Sequence, residues 1–136
     1  MKTLVVLAVS IVLVGILFCH LVMAAPSMPN DLQIVQPDPS LPKELSAFLG
    51  KWEGTGAYQY FLIVEKIDQE KASIYIWQTV IEIGYCWTRY EAQVIKESGK
   101  YKLWYSGRPG NVQLTLKGES LNYSDPRNSA KLKRVE

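Results

Sequence analysis

The chain has 136 residues, with 15 Lys and Arg against 13 Asp and Glu for a formal charge of +2, and 48% of its residues are hydrophobic. Such a balance lacks the strongly basic face that nucleic acid requires, so no nucleic-acid partner is expected. The cysteines are Cys19 and Cys86 and the only histidine is His20.

The first element is a membrane-directed segment. Met1-Lys2-Thr3 places one positive charge before a run, Leu4–Val22, that is apolar apart from Ser10, Gly15 and His20. Small residues at Ala24 and Ala25 suit a signal peptidase, while the run also approaches the ~20 residues that span a bilayer. Residues 1–24 are therefore either a cleaved signal peptide or a retained membrane anchor. Lys2 favours a cytoplasmic N-terminus, so the rest of the chain is expected to be exported, periplasmic or secreted. A bacterial lipid anchor on Cys19 would need a small residue where Phe18 stands. Without residues 1–24 the charge falls to about +1 and no histidine remains. Cys86 is then a lone cysteine in an oxidising compartment, expected as a shielded thiol between Tyr85 and Trp87.

Residues 25–40 read as a linker, because Pro26 to Pro42 contain five of the seven prolines. Fixed φ angles and missing amide donors predict an extended, poorly packed spacer. Ser40–Leu49 then reads as a short helix, with Pro42 in its first turn and Gly50 at its exit. Leu41, Leu45, Phe48 and Leu49 share one face, which must cover apolar surface.

Beyond Lys51 the period changes to that of strands. A first strand opens at Gly50-Lys51-Trp52, followed by Tyr58–Ile67, Ala72–Ile81, Trp87–Ile95, Lys100–Ser106, Asn111–Lys117, Ser120–Tyr123 and Ser129–Val135. Turn sequences rich in Gly, Asp, Asn and Ser separate them. Eight strands in the 87 residues from Leu49 to Val135 have the spacing of an all-β meander. Residues 41–136 are therefore expected to form an antiparallel up-and-down β-barrel of about eight strands behind a short helix, with an open sandwich as the alternative. Alternation turns Val112, Leu114 and Leu116 inward, likewise Tyr101, Leu103 and Tyr105, and likewise Tyr90, Ala92 and Val94. Tyr58–Ile67 and Ala72–Ile81 are apolar on both faces. One face of each is expected to pack under the helix or to remain exposed as a patch.

The helix, the Gly50-Lys51-Trp52 opening and a basic residue, Arg134, on the last strand resemble the calycin superfamily, whose lipocalin branch opens with Gly-x-Trp after a small helix closing one barrel end. Together with Trp87-Thr88-Arg89-Tyr90 and Ala130–Val135, the opening also resembles small exported β domains of bacteria. The chain is shorter than a typical lipocalin and has no long lid loop, C-terminal helix or disulfide pair. The resemblance implies the barrel, with Gly50, Trp52 and Arg134 in structural roles. Closure of the first strand on the last is expected to bring Arg134 over the Trp52 indole.

An eight-stranded barrel is either filled by side chains or holds one small ligand. The aromatic content leaves both open, with Tyr58, Tyr60, Tyr75, Trp77, Tyr90 and Tyr105 as the expected lining of any cavity. Catalysis is not expected: without histidine or a second cysteine there is no triad, Cys-His pair or ordinary zinc site, and no cofactor or metal is implied. Glu53, Glu65, Glu82 and Glu91 read as solvated carboxylates. The expected function is a non-enzymatic binding barrel for a small apolar or aromatic ligand. The alternative is a protein-interaction, inhibitor or accessory module with contacts at Arg89, Tyr90, Arg108 and Asn111.

Overall fold

The computed structural model describes residues 25–80, 84–108 and 110–136. The signal or anchor segment, Ile81 at the end of the expected third strand, and Glu82 lie outside them. Among the described residues no helix is long and apolar enough to cross a membrane.

One helical turn, α1 (Lys43–Ser46), precedes eight strands: β1 (Gly50–Thr55), β2 (Gln59–Ile67), β3 (Lys71–Val80), β4 (Gly84–Glu97), β5 (Lys100–Ser106), β6 (Asn111–Lys117), β7 (Ser120–Ser124) and β8 (Ser129–Val135). Each strand pairs antiparallel with the next, and the sheet closes into a barrel in sequence order. Closure is made by β1 on β8 through Lys51↔Val135, Trp52↔Arg134 and Glu53↔Lys133. The barrel therefore has no free sheet edge along this seam. The β3–β4 hairpin is longer than the sequence suggested, pairing continuously from Lys71↔Gln93 to Val80↔Gly84. The helix is shorter than expected, because Phe48 and Leu49 donate to the carbonyls of Leu45 and Ser46 in tight i to i−3 bonds. A tightened last turn of this kind ends a helix, and Gly50 at φ +114° leads out of it.

The lumen is built from alternate residues. Leu62 and Val64 of β2, Ile74 and Ile76 of β3, Leu103 of β5, Leu114 of β6, Leu121 of β7 and Leu132 of β8 are all buried in one cluster. Leu41, Leu45 and Phe48 join it from the helix side. That end is closed by Trp52, which is 2% exposed and whose Nε1 donates to Phe48 O at 2.9 Å. The Arg134 guanidinium lies 4.3 Å from the centroid of the indole. It donates to Leu49 O and, at 2.6 Å, to Ala47 O, so it satisfies carbonyls that the ending helix leaves free. A Cβ at Gly50 would stand 2.7 Å from Arg134 Nη1. Only glycine fits that φ and that approach.

The proline-rich stretch has no buried residue between 25 and 40, yet it does not stand clear of the barrel. It crosses the outer face of β2, β3 and β4 as a strap: Ser27 O accepts from Trp87 Nε1 at 2.7 Å, Asp31 pairs with Arg89 at 3.5 Å, Gln33 N donates to Glu65 Oε1 at 2.9 Å and Val35 N to Glu65 O at 2.9 Å. The outward-pointing residues Phe61, Ile63 and Tyr75 are buried there. The second apolar face of β2 and β3 is thus neither under the helix nor a bare patch. Two strands apolar on both faces need a cover, and an extended segment with few free amides supplies one without demanding a full ladder of partners. Glu65 sits at a bulge between β2 and β3 and is the buried charged residue of this contact. It accepts from Gln33 N, Ser73 Oγ and Arg89 Nη2. Its expected role as a solvated carboxylate is corrected accordingly.

Candidate functional site

Strand directions place the two barrel ends in different chemical hands. The helix, the β2–β3, β4–β5 and β6–β7 turns and the C-terminus lie at the closed end. At the other end β1 leads into β2 at 56–58, β5 into β6 at 107–110 and β7 into β8 at 125–128. That end opens into a cavity of about 620 Å³ whose lining includes Tyr60, Ile76, Gln78, Tyr123 and Asp125, with Tyr58, Trp77, Tyr85, Arg108 and Arg127 around its rim.

Below the rim Tyr60 and Tyr123 line the cavity, and Tyr90 and Tyr105 stand in the adjoining core outside its lining. Tyr60 packs against Tyr123 with ring centroids 4.8 Å apart, and Tyr90 stacks on Tyr105 at 4.8 Å. Gln78 Nε2 donates to Tyr90 Oη at 2.8 Å, and Tyr123 Oη donates to Asp125 Oδ2 at 2.9 Å. Among the described residues the buried hydroxyls of Tyr60 and Tyr105, and of Tyr75 on the outer face, have no partner. A buried polar group without a hydrogen bond costs about 1–3 kcal/mol, so each is an unused donor of consequence. Gly107 lets this stack form, since a Cβ there would stand 2.9 Å from the Tyr105 ring.

Electrostatics keep these hydroxyls protonated. Burial, then the neighbouring Tyr90 and Asp125, pushes Tyr105 far above the ordinary tyrosine range. Burial and then Tyr105 do the same to Tyr123, and burial and then Asp125 raise Tyr60. Burial works to raise Asp125 as well, but donations from Arg127 N, Tyr123 Oη and Asn128 N outweigh it and hold the carboxyl below its usual value. The wall therefore offers phenol donors around one ionised carboxylate whose acceptor sites are already engaged.

The six residues expected to line a cavity separate into three groups. Tyr60, Tyr90 and Tyr105 point into the lumen, and of these Tyr60 lines the cavity. Tyr58 is on the rim, 65% exposed. Tyr75 and Trp77 point outward: Ile74 and Ile76 take the inward positions of β3, and Tyr75 lies beneath Arg89, whose guanidinium is 4.6 Å from the ring centroid. Where both faces of a strand are apolar, alternation alone does not say which is inside; the pairing Ile74↔Tyr90 and Ala72↔Ala92 decides it. Tyr123, Gln78 and Asp125 were missed. The signal for Tyr123 was present in the alternation Leu121-Asn122-Tyr123, whereas Asp125 read as a turn residue.

The proposed protein-contact set does not share a face. Arg89 is engaged by Asp31 and Glu65, Tyr90 points inward against Tyr105, and Arg108 and Asn111 are exposed at the open end. Cys86 is half-buried rather than shielded, its Sγ 4.0 Å from Thr88 Oγ1. Glu91 pairs with Lys71 at 2.8 Å. Among the described residues no cluster of His, Cys, Asp and Glu has the arrangement of a metal site. A second depression, of about 720 Å³, lies at the closed end against Trp52 and Arg134, but its guanidinium is already bound to the Ala47 and Leu49 carbonyls. The chain matches no protein-family model, no curated protein and no solved structure.

Proposed function

We propose that the chain is an exported, lipocalin-like binding barrel whose open end holds one small, largely apolar or aromatic compound bearing a hydrogen-bond acceptor. The observation that carries this reading is the buried, unpartnered hydroxyl of Tyr60, which with Tyr123 lines a cavity of about 620 Å³, with a second unpartnered hydroxyl on Tyr105 in the adjoining core. Aromatic walls with a few convergent polar groups are what small-molecule sites are made of. The division of the lumen supports it too, since leucines and isoleucines fill the closed half while the polar atoms gather at the open half. The lipocalin-like assignment rests on the closed end, where Gly50, Trp52 and Arg134 meet as the resemblance implies.

The test uses anilinonaphthalene sulfonate, an anionic aromatic probe, titrated against the folded protein, with native mass spectrometry of the purified protein beside it. Saturable one-to-one binding is expected, weakened about 5-fold by Tyr60→Phe, as loss of a ~1 kcal/mol hydrogen bond predicts. Non-saturating binding, or equal affinity in Tyr60→Phe and Gln78→Ala, overturns the reading.

A further inference from the structure

We propose that the full-length chain docks on a lipid bilayer with its open barrel end facing the membrane surface. The strap sets this orientation. It leaves α1 at the closed end and crosses the sheet past Glu65 and Arg89, reaching the open half at Ser27, which is bonded to Trp87. Trp87 pairs with Trp77, three positions from the last pair of the hairpin, Val80↔Gly84. At ~3.4 Å per strand residue that is roughly 10 Å from the barrel's open rim. The apolar run ends at Val22, five residues before Ser27, and five extended residues reach at most about 18 Å. A bilayer holding Leu4–Val22 therefore has the open end, not the closed end, within reach.

The surface chemistry of the two ends agrees with this orientation. Met28, Tyr58 and Tyr85, among the large apolar side chains most exposed on the described residues, lie at the open end. Tyr85 stacks on Trp77, with centroids 6.3 Å apart. Tyrosine and tryptophan suit the headgroup level, where one end of the ring is apolar and the other wet. Arg108 and Arg127 are exposed on the same rim, placed to meet anionic headgroups. The closed end mixes exposed Asp68, Glu70, Glu97 and Glu119 with exposed Lys71, Lys96, Lys100 and Lys117 and, among the described residues, has no exposed ring to match Tyr58 and Tyr85, so the tether and the aromatic rim, not net charge, set the orientation. This inference does not depend on what the cavity holds, although it would let an amphiphile pass between the bilayer and the lumen.

The full chain, with Cys19→Ser and Cys86→Ser, is labelled with a fluorophore at Tyr58→Cys or at Glu119→Cys, both exposed positions. Each is reconstituted in phosphatidylcholine–phosphatidylglycerol vesicles carrying a nitroxide at the headgroup. The ends are ~20 Å apart for strands of this length, so the label at position 58 is expected to be quenched several-fold more than the label at 119. Adding Arg108→Glu and Arg127→Glu is expected to reduce quenching at position 58, with an unchanged unfolding midpoint confirming the fold. Equal quenching at the two positions, stronger quenching at 119, no response to the charge reversal, or a chain that does not associate with vesicles overturns the proposal.

Discussion

The two ends of this barrel solve the same problem, how to finish a closed sheet, in opposite ways. At the closed end the central polar groups pair off: the Trp52 Nε1 donates to Phe48 O and the Arg134 guanidinium to the carbonyls of Ala47 and Leu49, over a packed apolar floor. At the open end Tyr60 and Tyr105 keep hydroxyls with no partner among the described residues, and apolar rings reach solvent. The first arrangement is what stability alone selects. The second leaves unsatisfied donors in a wall that stability alone would have made of leucine, and on that departure the proposed binding role rests.

The largest effect expected from breaking this contrast is at Trp52. Trp52→Ala removes the buried floor and should lower stability by about 3–5 kcal/mol, read by urea unfolding. Glu65→Ala comes next, because it strips the strap of its anchoring carboxylate and leaves Arg89 without one of its two partners. A loss of about 1.5–3 kcal/mol is expected, with faster proteolysis between residues 26 and 35 as the sign that the strap, not the barrel, has loosened. Arg134→Ala should lose about 1 kcal/mol, since its stacked guanidinium is largely exposed. In a cycle with Trp52→Ala the double variant should lose less than the sum of the singles; strict additivity would mean that the stack contributes nothing.

The open end responds to alkali. Folding keeps Tyr105 and Tyr123 protonated well above their ordinary range, so above pH ~10 the unfolded chain releases protons that the folded chain retains. Their contribution is complete below that pH and is lost as pH rises beyond it. Stability measured across this window should fall steeply in the parent protein and less steeply in Tyr105→Phe. The smallest effect is expected at Tyr60→Phe, which deletes an unpartnered hydroxyl: stability should be unchanged or should rise by about 1 kcal/mol at neutral pH, while probe affinity falls. A loss of stability there would show that the hydroxyl is satisfied after all.

Period and turn chemistry sufficed to read eight antiparallel strands and their closure, because a residue's side of a strand is a local property wherever one face is apolar and the other polar. Leu114, Leu103 and Ala92 were legible for that reason, and Arg134 could be placed from its register with Leu132 and Ala130. The same logic failed on β2 and β3, where both faces are apolar and the sequence carries no sign of which side is in. Only the pairing with β4 and the laying down of residues 27–35 across Tyr75 and Ile63 decided it. The strap was illegible for a related cause: proline content reports an extended backbone, not what that backbone lies against. The candidate site divides in the same way, with Tyr60, Tyr90 and Tyr105 readable as inward aromatics. Which of their hydroxyls find partners was decided by the folded sheet: pairing of β3 with β4 brings Gln78 to Tyr90, 12 residues away in sequence, while Tyr60 and Tyr105 are left without a partner among the described residues.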